Sequence, residues 1–287
     1  MEDQRLFKAI LKRFSVRQYK TDVLSPSRLK QVQDIIDQRH SLIPDNGIDF
    51  LQINEIKAVD LLVAQGPYGA FIASPHVLIP YTTTRTAPLL EIGFQLQQVV
   101  VRMYREGLGS CYLGTAGRER AIIRHFELPS DSMLGSTLIY GYPKKAETRN
   151  LANYFRKPGY RTKRMPYEEF FSMHVFDNPS TVPDRLETIL GAARRAPSAV
   201  NAQPWRFVYE NNFLYLFVVP QVYPFVLNQK SRNIYAMHDA GIVMANIWLA
   251  YQAMGIERDW ILYEQDQTGF PTVPADVLPI AKINVAE

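Results

Sequence analysis

The chain has a single cysteine, Cys111, among its 287 residues. That excludes an internal disulfide and any CxxC metal or redox site. The N-terminus, Met1-Glu2-Asp3-Gln4, is acidic and polar and lacks the charged-then-apolar pattern of a secretory leader. Together these predict a reducing, cytoplasmic setting. No apolar run approaches the roughly 18–20 residues of a membrane span, so no membrane partner is expected. Charge of one sign is scarce too: the net charge is +4, too little to argue for nucleic acid. The five histidines, His40, His76, His125, His174 and His238, show no metal-ligand spacing, and no metal is expected. What is present is an ordinary globular composition, 47% hydrophobic and 21% charged, sufficient for a proper core.

The positive charge gathers between Lys144 and Arg164, a stretch that also holds Lys145, Arg149, Arg156, Lys157, Arg161 and Lys163. Such a run is a solvated connector unless something else in the chain calls for a phosphate.

The chain repeats itself. Ser25-Pro-Ser-Arg-Leu29 matches Val182-Pro-Asp-Arg-Leu186 at an offset of 157 residues. The same offset carries Phe14-Ser-Val-Arg-Gln-Tyr19 onto Phe171-Ser-Met-His-Val-Phe176, and Ile48-Asp-Phe50 onto Trp205-Arg-Phe207. Further along the offset becomes 148: Glu91-Ile-Gly93 falls on Asp239-Ala-Gly241 and Gly107 on Gly255, as if nine residues were lost from the second copy. Several matches in one order point to two diverged copies, divided near 1–165 and 166–287.

Each copy has a similar pattern. Leu6, Phe7, Ile10, Leu11 and Phe14 have close to helical spacing. A second helix opens at Ser25-Pro26, a capping residue followed by proline. Strands are expected near 49–55 and 74–82, then a helix over about 86–106 that is apolar on nearly every face and therefore buried, stopped by Gly107. Strands near 110–113 and 134–142 close the copy. The second copy predicts a helix at 184–195, strands at 205–210 and 213–219 joined by an Asn211-Asn212 turn, and a buried helix at about 235–254. Two buried helices in one chain suggest that the copies pack on each other as subunits would.

Three blocks carry chemistry. Arg13-Phe-Ser-Val-Arg17 brackets a hydroxyl with two guanidinium forks, which match phosphate oxygens. Ala196-Pro-Ser-Ala-Val-Asn-Ala-Gln-Pro-Trp205 is a loop stiffened by Pro197 and Pro204, with Ser198, Asn201 and Gln203 able to face the edge of a flat heterocycle. Gly107-Leu-Gly-Ser-Cys-Tyr-Leu-Gly114 allows close approach of backbone to a ligand, though it is also what a helix stop and core strand look like. Cys111 itself has no charged activator nearby in sequence and reads as a buried structural thiol. His238-Asp239, near the start of a buried helix, suggests acid–base work, but a histidine so placed is more often satisfied locally.

With Gly141-Tyr-Pro143 and Lys163-Arg164-Met-Pro166, these blocks make the chain resemble the nitroreductase family of flavoproteins, and within it the TM nitroreductase branch, over nearly its whole length. The resemblance implies an α+β fold: a three-layer α/β/α sandwich with a largely antiparallel sheet, here with two diverged copies fused as an internal pseudo-dimer. It implies FMN as cofactor. Arg13, Phe14, Ser15 and Arg17 would lie at the phosphate and ring edge, with Lys163 and Arg164 adding cationic contact. Pro197, Ser198, Ala199, Asn201 and Gln203 would come from the opposite half, and the backbone of Cys111, Tyr112, Leu113 and Gly114 would line the reactive face. The implied reaction passes two electrons from NAD(P)H through FMN to a nitroaromatic, quinone or similar acceptor. A flavin-binding protein without turnover is the alternative. The flavin carries the chemistry, so no catalytic acid or base is nominated. A monomer or a loose homodimer is expected.

Under the repeat offset, Arg13 falls on Phe170 and Arg17 on His174, while the Pro-Ser-Asn loop falls on His40-Ser-Leu-Ile-Pro44. One intact and one abandoned site follow, and hence one FMN per chain.

Overall fold

The computed structural model describes residues 3–66, 72, 74–144, 163–223, 228–264 and 269–286. Five members of the basic run (Lys145, Arg149, Arg156, Lys157 and Arg161) lie outside them. Helix α1 (Gln4–Lys12) is capped by the Asp3 carboxylate, which accepts the Leu6 N–H at 2.9 Å. Helix α2 (Pro26–Asp37) begins as its sequence predicts, with Ser25 as cap and proline in the first turn. There follow β1 (Asp49–Asn54), α3 (Ala58–Gln65), β2 (His76–Tyr81), α4 (Pro88–Arg105), β3 (Gly109–Gly114), α5 (Glu119–His125) and β4 (Ser136–Gly141). The second half contains β5 (Phe171–Met173), α6 (Asp184–Arg195), β6 (Trp205–Glu210), β7 (Phe213–Val218), α7 (Gln229–Ala253), β8 (Trp260–Leu262) and β9 (Leu278–Asn284).

The two sheets run β1-β2-β4-β3 and β5-β6-β7-β9-β8. Apart from β5, each has the same order in its own half, and every one of those pairings is antiparallel. Strand β5 adds parallel to the β6 edge. The first sheet has helices on both faces. Val77, Ile79 and Ile139 meet Leu61 and Ala64 of α3 and Ile122 of α5, while the alternate residues Leu78, Leu138 and Tyr140 meet α2 and α4. The second sheet lays one face on α1, α6 and α7. Its other face is covered by Phe176, Phe270 and Val273, with no helix there among the described residues. The three-layer arrangement therefore belongs to the first half.

Helices α4 and α7 cross at glycines. A Cβ on Gly93 would strike the His238 carbonyl oxygen, and one on Gly241 would strike the Leu90 carbonyl oxygen. Both pairs are related by the offset of 148, so the crossing is pseudo-symmetric. Only glycine lets the backbones approach this closely.

Two sequence expectations need correction. The apparent loss of nine residues is the balance of two changes. The strand register gives an offset of 157 from Asp49 to Arg206 but only 136 from their partners Tyr81 to Phe217. The offset then climbs back to 148 at Gly93 and Gly241. Twenty-one residues, including all of α3, are thus replaced by the Asn211-Asn212 turn, and twelve are gained before Gly241, partly by a longer first portion of α7. Both turn asparagines have positive φ, as a two-residue hairpin turn requires. The second correction concerns Ser15 and Ser172. Ser15 bridges Ser110, on the β3 edge of the first sheet. Ser172 sits in β5 at the β6 edge of the second, which is the opposite end of the same strand order. Phe170 is buried in the core and His174 is exposed. These residues match Arg13 and Arg17 in sequence but not in place. Among the described residues no helix is long and apolar enough to cross a membrane.

Candidate functional site

Helix α1 ends at Arg13, whose backbone turns extended. Its side chain is only 7% exposed, and its Nη1 has no hydrogen-bond partner. Burial lowers the Arg13 pKa below its usual value, and nearby Arg17 pushes the same way. Tyr112, Cys111 and Tyr104 surround it closely enough to act on its charge. The bridge from Ser15 to Ser110, with the Val16 N–H donating to the Ser110 carbonyl at 2.9 Å, holds the arginine block against the start of β3. Tyr112 donates from its hydroxyl to Gln97 Oε1 at 2.9 Å, and burial pushes its pKa far up.

The second half supplies the loop after α6, and the end of the basic connector ties that loop down. Arg164 donates to the Ala196 carbonyl at 2.7 Å and to Asn201 Oδ1 at 3.3 Å. Asn201 Nδ2 and Gln203 Nε2 both donate to the Lys163 carbonyl, and Gln203 Oε1 accepts the Met165 N–H at 2.9 Å. Ser198 Oγ accepts the Gln203 N–H at 2.9 Å. Inside this frame Val200, Asn201 and Gln203 have φ of 51°, 60° and 50°. Each such residue costs on the order of 1–3 kcal/mol, most clearly for β-branched Val200.

The two sets meet through charge. The Arg164 pKa is pushed down to about 10 by burial, then by Arg13, Arg195 and Arg194. Among the described residues no carboxylate forms an ion pair with any of these four arginines. Packing like charges together, one of them buried with an unused donor, is unfavourable unless an anion sits among them.

Arg13, Ser15 and Arg17 thus lie by the start of β3 with Cys111 and Tyr112, Arg164 is bonded to Asn201 of the loop, and the two sets adjoin where Arg164 feels the charge of Arg13. Pro197 is buried at the start of the loop, and the Ala199 N–H is held by Asp239. The amide of Gln203 is fully engaged in fixing the loop. Phe14 is 60% exposed, edge-on to Tyr104. The Lys163 side chain is exposed, and its part in the loop is its carbonyl. Leu113 is buried and Gly114 lies at the far end of β3, where the Tyr235 ring occupies the space a Cβ would need. Sequence reasoning missed Arg194, Arg195, Tyr223 and Tyr235. The two arginines stand directly before Ala196, and that adjacency was the available signal.

A family model described as "Putative TM nitroreductase" matches residues 5–251. No curated protein matches the chain. Among solved structures, a protein from Thermotoga maritima described as a "putative nitroreductase" aligns over 99% of this chain and 95% of its own, with 18% identity and a TM-score of 0.60. At that identity the likeness shows the fold. A protein from Desulfovibrio desulfuricans described as a "putative nitroreductase in complex with FMN" aligns over 53% of this chain and 96% of its own, at 18% identity and a TM-score of 0.45. An FMN-dependent nitroreductase from Clostridium difficile covers 50% of this chain and 92% of its own, at 16% identity and a TM-score of 0.42.

Proposed function

Since the chain belongs to the TM nitroreductase family, we propose that it binds one FMN between its halves and passes two electrons from NAD(P)H to a nitroaromatic, quinone or similar acceptor. The halves are residues 1–165 and 166–287, and the working unit is a monomer or a loose homodimer. The observation that carries this reading is the group of arginines around the buried Arg13. Arg13, with its unpartnered Nη1, and Arg164 sit together with no carboxylate partner among the described residues. A phosphate dianion satisfies both the charge and the idle donor.

FMN held there would supply two-electron transfer between the nicotinamide and the acceptor. Arg13 and Arg164 would hold the phosphate, with Arg17 and the Ser15 hydroxyl as further donors. Ser198 and Asn201 would meet the ring edge, and the backbone from Cys111 to Gly114 would lie along its face. The loop's strained backbone is fixed in advance, so little ordering is left for the moment of binding.

The test begins with an absorbance spectrum of the purified protein, followed by anaerobic addition of NADH or NADPH. A yellow protein that bleaches is expected. In a titration of apo-protein, Arg13→Ala should weaken FMN binding roughly 10- to 150-fold, the worth of a charge-assisted hydrogen bond. A protein that takes up no FMN overturns the reading. Tyr235, packed on Gly114, favours a second reading, in which the chain holds flavin without turnover. Flavin that binds but does not bleach decides for it.

A further inference from the structure

The repeat pairs Glu91 with Asp239, and neither is among the groups proposed to touch the flavin. In the first half both carboxylate oxygens of Glu91 accept backbone N–H groups, from Leu42 at 2.8 Å and Ile43 at 2.9 Å. In the second half Asp239 Oδ2 accepts the Ala199 N–H at 2.8 Å. Leu42 and Ala199 are themselves repeat equivalents, at the offset of 157. Each buried helix thus puts an acid at one place to hold the loop that follows α2 in the first half and its counterpart α6 in the second.

The two acids hold different things. Glu91 holds a loop that contains no proposed ligand contact. Asp239, 2% exposed, holds the strained stretch from Ala199 to Gln203. Its Oδ2 also accepts the Tyr223 hydroxyl at 2.7 Å, and the His238 ring lies beside its other oxygen at 3.7 Å. Ala199 directly precedes the first left-handed residue, Val200. Fixing its N–H fixes where the left-handed run begins, and so where Ser198 and Asn201 point.

We propose that Asp239 is a positioning residue for the flavin, acting through the Ala199 N–H, while its counterpart Glu91 serves stability alone. This rests on the FMN reading above. The pairing also supplies its own rescue: a glutamate does the same task at the equivalent place in the first half, so Asp239→Glu should restore what Asp239→Ala removes.

The experiment titrates the apo-forms of the full chain with FMN, followed by flavin fluorescence quenching and visible circular dichroism of the bound ring. Asp239→Ala should bind FMN roughly 10- to 100-fold more weakly and alter the ring's dichroism, because an unsatisfied buried N–H releases the loop. Asp239→Glu should bind within about threefold of the parent by the same scale. Glu91→Ala should lower the melting temperature yet keep FMN affinity within about twofold. Asp239→Ala with parental affinity overturns the proposal, and so does Glu91→Ala with an equal loss of FMN. Should Asp239→Ala fail to fold, Asp239→Asn keeps the shape and removes the charge. A roughly three- to tenfold loss is then expected, and parental affinity again overturns the proposal. If the parent protein binds no FMN at all, it is the functional reading that fails, and the hydrogen-bond role of Asp239 is read from stability alone.

Discussion

The loops that follow α2 and α6 occupy equivalent places, each held by an acid on a buried helix, yet they differ in conformation and in neighbours. The first, residues 39–48, has one left-handed residue, Asp45. It is braced by Arg39, which donates to Gln95 and to the Ile36 and Ile48 carbonyls, and the His40 ring lies flat on Trp248 at 5.1 Å. The second, residues 196–205, has three left-handed residues and stands beside cations that no described carboxylate neutralises. One scaffold therefore supports a loop whose polar groups are turned to internal bracing and another that keeps strain and unbalanced charge. Strain of this kind persists where surrounding structure over-determines it, and it concentrates where ligands are held.

The largest expected difference between the halves is in occupancy. Among the described residues the second half shows no arm corresponding to Arg13 and Arg17, because the chain at 170–174 runs to the other sheet edge. Losing two charge-assisted contacts amounts to roughly 3–6 kcal/mol. Flavin released on denaturation should therefore come to one per chain. Two per chain would erase the contrast.

The next test concerns what the halves share. Gly93→Ala and Gly241→Ala should each destabilise by about 2–3 kcal/mol, since both drive a methyl into a backbone carbonyl of the facing helix. Gly47→Ala, where nothing lies within 4 Å of the new carbon, should stay within about 0.5 kcal/mol. Urea midpoints measure all three. Unequal losses at Gly93 and Gly241 would show that the crossing is less symmetric than it looks.

The smallest effect sharpens the comparison by pH. His76, at the start of β2, is fully buried; its Nε2 accepts the Leu24 N–H, and Nδ1 lies 2.9 Å from Asn54 Oδ1. Burial pushes its pKa down to about 4. The unfolded chain, near 6.5, takes up the proton first, so stability present above pH 6.5 falls as pH drops toward 4. The loss should be about 1–2 kcal/mol at pH 5. The tight turn in the second half carries no such histidine. His76→Gln should flatten the stability profile between pH 6.5 and 4.5, and an unchanged slope would place the acid sensitivity elsewhere.

Much of the fold was legible because the apolar spacing was strong. Helix α6 has the bounds its sequence predicts, and the all-round apolar pattern of α4 and α7 marked them as buried. Short elements left no such signal: α3, α5 and the three-residue strands β5 and β8 depend on partners distant in sequence. Residues 171–173 misled for that reason, since a local likeness to Phe14-Ser15 says nothing about which sheet edge a strand joins. In the site, the arginine and Pro-Ser blocks could be found from residue type. Asp239 was visible only as a repeat match and as the neighbour of His238, because what it holds is a backbone N–H, and almost any residue supplies one of those.

The glycine crossing of α4 and α7 ties the two halves within one polypeptide. A composite pocket shared by separate subunits comes apart when its concentration falls below the dissociation constant. Here Arg13 and Ser198 belong to the same molecule, so each half sees the other at a fixed effective concentration. Ligand affinity should accordingly be the same at nanomolar and at micromolar protein.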